Sequence, residues 1–299
     1  MKDVIISEIL KQVLFNDFIG NKNEIIEKVI QINPNNKEPH ILSWCSNKNK
    51  HLLKEVNIGT IIISTEIEKH FLNSECNYII VKNPRRTFQE VLTKFFVKKI
   101  MPAKALSASI HGTVKIGLNV FIGENVVIEA NCVIGNNCVI QHNTVLFEGC
   151  ILGDNIVIGS NNTIGGIGFG YEKDIEGNFV LIPHLGNVIL GDNVEIGNNT
   201  TIDRAVLGST ILSDNVKVDN LVHIAHGVQI GENSVVIANS MVAGSVVIGK
   251  NTWVAPSSSI MNQKSVGNNS IIGMGAVVLK DVGSSEVVAG NPSKLLKKL

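Results

Sequence analysis

From Ile110 onward an aliphatic residue returns every six positions, a beat that leaves a long chain very few folds. It falls at Ile110, Ile116, Ile122, Ile128, Ile134, Ile140, Leu146, Leu152, Ile158 and Ile164. After a break it resumes at Leu190, Ile196 and Ile202, slips by four residues, and runs in sixes from Leu212 to Val278, giving 25 units. Many read I-G-x-N-x-x, as in IGLNVF, IGENVV and IGNNCV. Repetition of this length decides the architecture before local propensity is weighed. The first residue of each unit points inward, and the fifth, usually Val, Cys, Thr, Ser or Ala, fills the space beside it. Gly and Asn between them make the corner, where permissive backbone geometry is needed. Three units close a triangular turn of 18 residues, and turns stack at the ~4.8 Å strand spacing. Eight turns give a prism roughly 40 Å long.

Composition fits such a narrow stack. Hydrophobic residues make up 44% of the 299-residue chain but aromatics only 5%, so Ile, Val, Leu and Ala must build the interior. Cys132, Cys138 and Cys150 all stand fifth in their units and read as small buried fillers. With no CxxC pair, the five cysteines provide no metal framework, and no bound metal is expected. Lys+Arg and Asp+Glu both total 26, which leaves no bulk charge for nucleic acid. Up to Lys104 there are 16 basic against 11 acidic residues, which suits a phosphorylated ligand or an ordinary solvated surface. The opening MKDVIISEILKQVLF has helical spacing and no signal-peptide core, and no run approaches a membrane span. The chain reads as soluble and cytoplasmic.

Residues 1–104 lack the hexad and read as a small α/β domain. They show a helical opening, strands in GTIIIS and YIIVKNP, and an amphipathic TFQEVLTKFFVKKI. The repeat domain spans 105–283, interrupted at 165–189 by GGIGFGYEKDIEGNFVLIPHLGNVI, which cannot continue the beat and should be extruded. Its GxGxG is only superficially a dinucleotide fingerprint, because no helix pattern follows. The slip at Gly208–Ile211 reads as a corner bulge. In the tail, 284–299, LLKKL is expected to form a last helical turn over the open end of the prism.

Against this background VDNLVHIAHGVQIG places His223 and His226 where other units carry bland residues. His226 stands third in its unit, at an outward corner. One full turn on is Gly244, and two turns on is Asn262, so the three should share one ridge. An imidazole beside a glycine amide offers a base and an oxyanion donor. On spacing alone a solvent-exposed corner histidine or a zinc ligand remains open.

The string IPHLGNVILGDNVEIGNNTTIDRAVLGSTILSDNVKVDNLVHIAHGVQIG, preceded by the GFGY loop, resembles the UDP-3-O-acylglucosamine N-acyltransferases of lipid A synthesis. ILSWCSNKNKHL and YIIVKNPRRTFQEVL resemble that family's uridine-binding domain, so the likeness covers nearly the whole chain. It implies a mainly β fold, a left-handed parallel β-helix of hexapeptide repeats behind a small N-terminal α/β domain. It also implies a homotrimer with sites in grooves between prisms, and transfer of a 3-hydroxyacyl group from an acyl carrier protein thioester to the 2-amine of UDP-linked glucosamine. No bound cofactor is implied. His226 matches the general base, Gly244 the oxyanion donor, and Trp44 with Asn47 the uracil platform. His184 and His223 stand where the family often has glutamine, and either line the substrate groove or lie on the surface. Met261-Asn262-Gln263 replaces the family's Asn-Gly-His, putting Asn262 and Gln263 at the substrate, where Gln263 can hydrogen-bond a phosphate or sugar without carrying charge. The family's C-terminal helical extension has no counterpart, and VVLKDVGSSEVVAGNPSKLL resembles the close of acetyl-CoA-dependent sugar acetyltransferases. Acyl-CoA as donor to a surface-polysaccharide sugar, and a non-catalytic trimeric scaffold, are therefore the alternatives.

Overall fold

The computed structural model describes residues 3–299, which divide into two compact units, 3–99 and Ile100–Leu299. The first holds a five-stranded sheet in the order Asp17–Ile19, Asn77–Val81, Thr60–Ser64, Ile41–Trp44, Lys28–Val29. Only its Asp17–Ile19 edge is antiparallel. The central strand Thr60–Ser64 is buried on both faces, which its unbroken run of isoleucines anticipates. The helix Pro84–Val91 starts where Asn83–Pro84 dictates: Asn83 Oδ1 accepts from the Arg86 amide at 3.1 Å, and proline occupies the first turn. The helical opening is shorter than its spacing suggests, covering only Ile6–Leu10.

The second unit is a left-handed parallel β-helix of three sheets, with eight, nine and eleven strands. Its stack opens with Ala103–Lys104, paired in parallel with Phe121–Ile122. Rungs repeat in register every 18 residues, as in Ile122↔Ile140 and Ile140↔Ile158. Each strand turns its second residue inward, so Ile122, Ile140 and Ile158 are fully buried. The I-G-x-N signature is explained by the fourth position, where asparagines such as Asn119, Asn137 and Asn233 have φ near +57°. Asn tolerates this left-handed region better than other side-chain-bearing residues. Cys132, Cys138 and Cys150 are buried fillers. Where the filler is polar it is satisfied: Thr144 Oγ1 donates to Gly159 O at 2.9 Å, and Ser234 Oγ to Gly249 O at 2.7 Å.

Two breaks shape the ridge described below. Residues leaving Thr163–Gly166 form a hairpin, Tyr171–Lys173 against Phe179–Leu181, before rejoining the stack at Asn187–Leu190. The four-residue slip lengthens the spacing between neighbouring rungs to 22, pairing Thr201 with His223 and Ile202 with Ile224. At the C-terminus the expected helical turn is absent. Lys294–Lys298 is instead a strand, antiparallel to Glu286–Ala289, which itself continues a sheet from Ile271–Ile272. Five residues are too few to nucleate a helix unaided, whereas an open sheet edge presents a row of ready hydrogen-bond partners. Among the described residues no helix is long and apolar enough to cross a membrane.

Candidate active site

His226 follows the strand His223–Ile224, Gly244 follows Met241–Val242, and Asn262 follows Ser259–Ile260; these strands pair in register. The three residues are therefore successive rungs of one ridge. Vertical bonds join them, Ser245 N–H to His226 O and Gln263 N–H to Gly244 O, both 2.9 Å. The His226 ring lies so close over Gly244 that a side chain there would begin 2.6 Å from its Cε1 and Nε2.

On the prism's other two edges, the third residue of many units caps the rung before it. Leu118 N–H donates to Asn136 Oδ1 at 2.9 Å, Asn136 N–H to Asp154 Oδ1 at 2.7 Å, and Asp154 N–H to Asp192 Oδ1 at 2.8 Å. A corner histidine can serve the same purpose: His142 Nδ1 accepts from the Glu124 amide at 2.8 Å. At this ridge the ladder fails. Gly244 has no side chain to offer His226, and among the described residues the amides of His226, Gly244 and Asn262 have no partner in the chain. The His226 ring nitrogens are also unbonded, in contrast to those of His142. An unoccupied base thus faces unoccupied donors.

The surrounding cleft, about 370 Å³, is lined by His223, His226, Gly244, Asn262 and Gln263, joined by Asp203. Gln263 holds a left-handed φ of +60°. His223 is half exposed; its Nδ1 lies 2.7 Å from Thr201 Oγ1 and its Nε2 3.7 Å from Asp203 Oδ2. His184 arrives from the loop. It is 5% exposed, its Nδ1 bonds Ile182 O at 2.7 Å, and its ring meets that of His226 edge-on at 5.4 Å. Its Nε2 is buried without a partner. Burial holds His226 below the ordinary imidazole range, and charge on His184 and His223 pushes the same way. Burial raises the Asp203 carboxyl, against the opposing influence of His223 and His184.

Six of the residues singled out from sequence, His184, His223, His226, Gly244, Asn262 and Gln263, thus come together. Trp44 and Asn47 belong to the first unit. Trp44 ends the strand Ile41–Trp44 and packs partly buried against Phe88, ring centroids 6.3 Å apart. Asn47 is exposed and donates through Nδ2 to Glu66 Oε2. Asp203 was missed. Its rung neighbour is Ala225, but stepping back 18 from there lands on Leu207, because the slip makes the interval 22. Counting the slip would have found it.

Residues 113–148 match the model of the bacterial transferase hexapeptide family (six repeats). Among solved structures, a UDP-N-acetylglucosamine acyltransferase of Bacteroides fragilis is similar, with 28% identity and a TM-score of 0.59 over 66% of this chain and 74% of that one. The UDP-3-O-acylglucosamine N-acyltransferase of Protochlamydia amoebophila is 36% identical over 244 residues, 74% of this chain and 69% of the relative. That of Campylobacter lari is 46% identical over 224 residues, 71% of this chain and 70% of its own length. With that identity over that share of both proteins, the chain belongs to the UDP-3-O-acylglucosamine N-acyltransferase family of acyltransferases.

Proposed function

We propose that the protein moves a 3-hydroxyacyl group from an acyl carrier protein thioester to the 2-amine of a UDP-linked, 3-O-acylated glucosamine, as in lipid A assembly. The observation that carries this reading is the unbonded His226 imidazole resting on Gly244, beside amides with no partner of their own. The neutral amine nitrogen attacks the thioester carbonyl carbon. The carbonyl π electrons pass to oxygen, and the Gly244 N–H stabilises that oxyanion. His226 takes one proton from the nitrogen, which has become positive by forming the new bond. As the oxyanion collapses, the C–S bond breaks, and the imidazolium returns the proton to the departing sulfur. Amide and free thiol are the products, and no bound cofactor is needed.

In this reading Trp44 and Asn47 hold the uracil, while His223, Asn262 and Gln263 contact the substrate as it lies along the cleft. The protein works as a homotrimer in the cytoplasm, where its thioester donors are made. Acetyl-CoA is the rival donor, favoured by the VVAGNPSKLL ending. Thiol release with UDP-linked amino sugar as acceptor tests both. Faster release from 3-hydroxyacyl carrier protein supports the reading, whereas release from acetyl-CoA alone moves the protein to a short-chain, surface-sugar role.

A further inference from the structure

The cleft is unusually rich in lone pairs. Asp203 has a side chain 13% exposed, and among the described residues its carboxylate accepts no hydrogen bond. The adjacent Arg204 does not neutralise it: Nε donates to Gly165 O at 2.6 Å and Nη2 to Glu148 O at 3.0 Å. The remaining titratable groups facing Asp203 are His223, His184 and His226. His184 Nδ1 is engaged with a carbonyl oxygen, so in the neutral ring Nδ1 carries the proton and Nε2 presents a lone pair. That Nε2 is the buried atom without a partner. Gly168 keeps the space between them clear: a side chain there would begin 3.1 Å from Asp203 Oδ2, 3.1 Å from His226 Cδ2 and 3.2 Å from His184 Nε2. Asp203 Oδ2, His184 Nε2 and the Cδ2 edge of the His226 ring thus converge on Gly168.

We propose that Asp203, backed by His184, makes the site selective for an amine over a hydroxyl as acyl acceptor. The argument counts hydrogens, and it rests on the reading of His226 as base. An attacking amine carries two protons. One goes to His226, and the second needs an acceptor before, during and after the reaction, since the amide product keeps its N–H. Asp203 Oδ2 supplies that acceptor, and does so more strongly once nitrogen has become positive in the tetrahedral intermediate. An attacking hydroxyl has a single proton. When that proton points to His226, the oxygen turns only lone pairs toward Asp203 and His184, leaving desolvated acceptors unsatisfied. Asp203 is thereby given a role in specificity, distinct from proton transfer.

The test is calorimetric binding, without any thioester donor, of UDP-linked 3-O-acylglucosamine and of the glucose counterpart bearing hydroxyl at the same carbon. The native protein should bind the amine about tenfold or more tightly. Asp203→Asn, whose amide can turn a donor toward a hydroxyl, should bring the two affinities within about threefold of each other. His184→Leu should also narrow the ratio, which covers the case in which Asp203→Asn does not fold. A purely structural role would weaken both ligands equally and leave the ratio intact. Equal binding by the native protein, or an unchanged ratio in both variants, overturns the proposal. Loss of acyl transfer in His226→Ala is measured separately, so the base assignment and the amine preference can fail independently.

Discussion

Gly244→Ala probes the placement of the base without touching the amide beneath it. Gly244 lies outside the left-handed region, so alanine fits its backbone. The added methyl, however, would start 2.6 Å from His226 Cε1 and Nε2. Carbon contacts are comfortable at about 3.5 Å, so the ring must withdraw by about 0.9 Å. A base misplaced by ~1 Å costs on the order of 10²-fold in rate, or about 2.7 kcal/mol of barrier. The loss should fall on kcat, because the cleft walls and the Gly244 N–H are unchanged. Stability should barely move, since the rung bonds at 2.9 Å survive and alanine restricts the unfolded chain. Gly112→Ala, on the same ridge with open space around its would-be side chain, is the control and should be silent in both respects. Single-turnover thiol release and thermal melts by circular dichroism provide the readouts. A Gly244→Ala rate within about threefold of the native protein would refute the claim that the imidazole is held by that contact.

Three further outcomes follow from the same geometry. Because His226 is held below the usual imidazole range, its neutral form persists to lower pH, and the acid limb of the kcat profile should lie below about 6.5. His223→Gln removes a ring whose charge disfavours protonation of His226, so the limb should move up in pH; an unmoved limb counts against the arrangement. Asp203→Asn should raise the melting temperature at neutral pH. Its carboxyl is raised in the fold, so the native state holds a proton the unfolded chain has lost, and stability falls as pH climbs from the unfolded to the folded value. The gain in the variant should shrink as pH drops below the carboxylate range. Finally, Leu221 is 59% exposed and sits at φ +59°, where neighbouring units carry asparagine. Leu221→Asn should stabilise the protein by about 1 kcal/mol, a rise of about 2–4 °C in melting temperature, with catalysis unaffected.

The solenoid was legible because one side-chain requirement, an aliphatic first and an asparagine fourth, is repeated too often to mistake. The vertical pairing of His226 with Gly244 followed from counting 18, and the intact rungs above Ile224 reproduce it. Asp203 escaped because the same counting fails across the slip below Ile224. Sequence position also gives no way to tell His142 from His226. Both stand third in a unit, yet one caps an amide and the other is unbonded: the Glu124 amide below His142 has no other acceptor, whereas the Arg204 amide in the corresponding place below His226 already donates to Gly166 O at 2.9 Å. The C-terminal LLKKL was misread for a related reason: a strand at a sheet edge is specified by the partner it covers.

The central claim is that this imidazole removes the amine proton. His226→Ala, assayed by single-turnover acyl transfer alongside melting temperature and oligomeric state, tests it most directly. The account predicts a rate lower by about 10²–10⁴-fold with fold and assembly intact. A variant that transfers acyl groups at close to the native rate would contradict it.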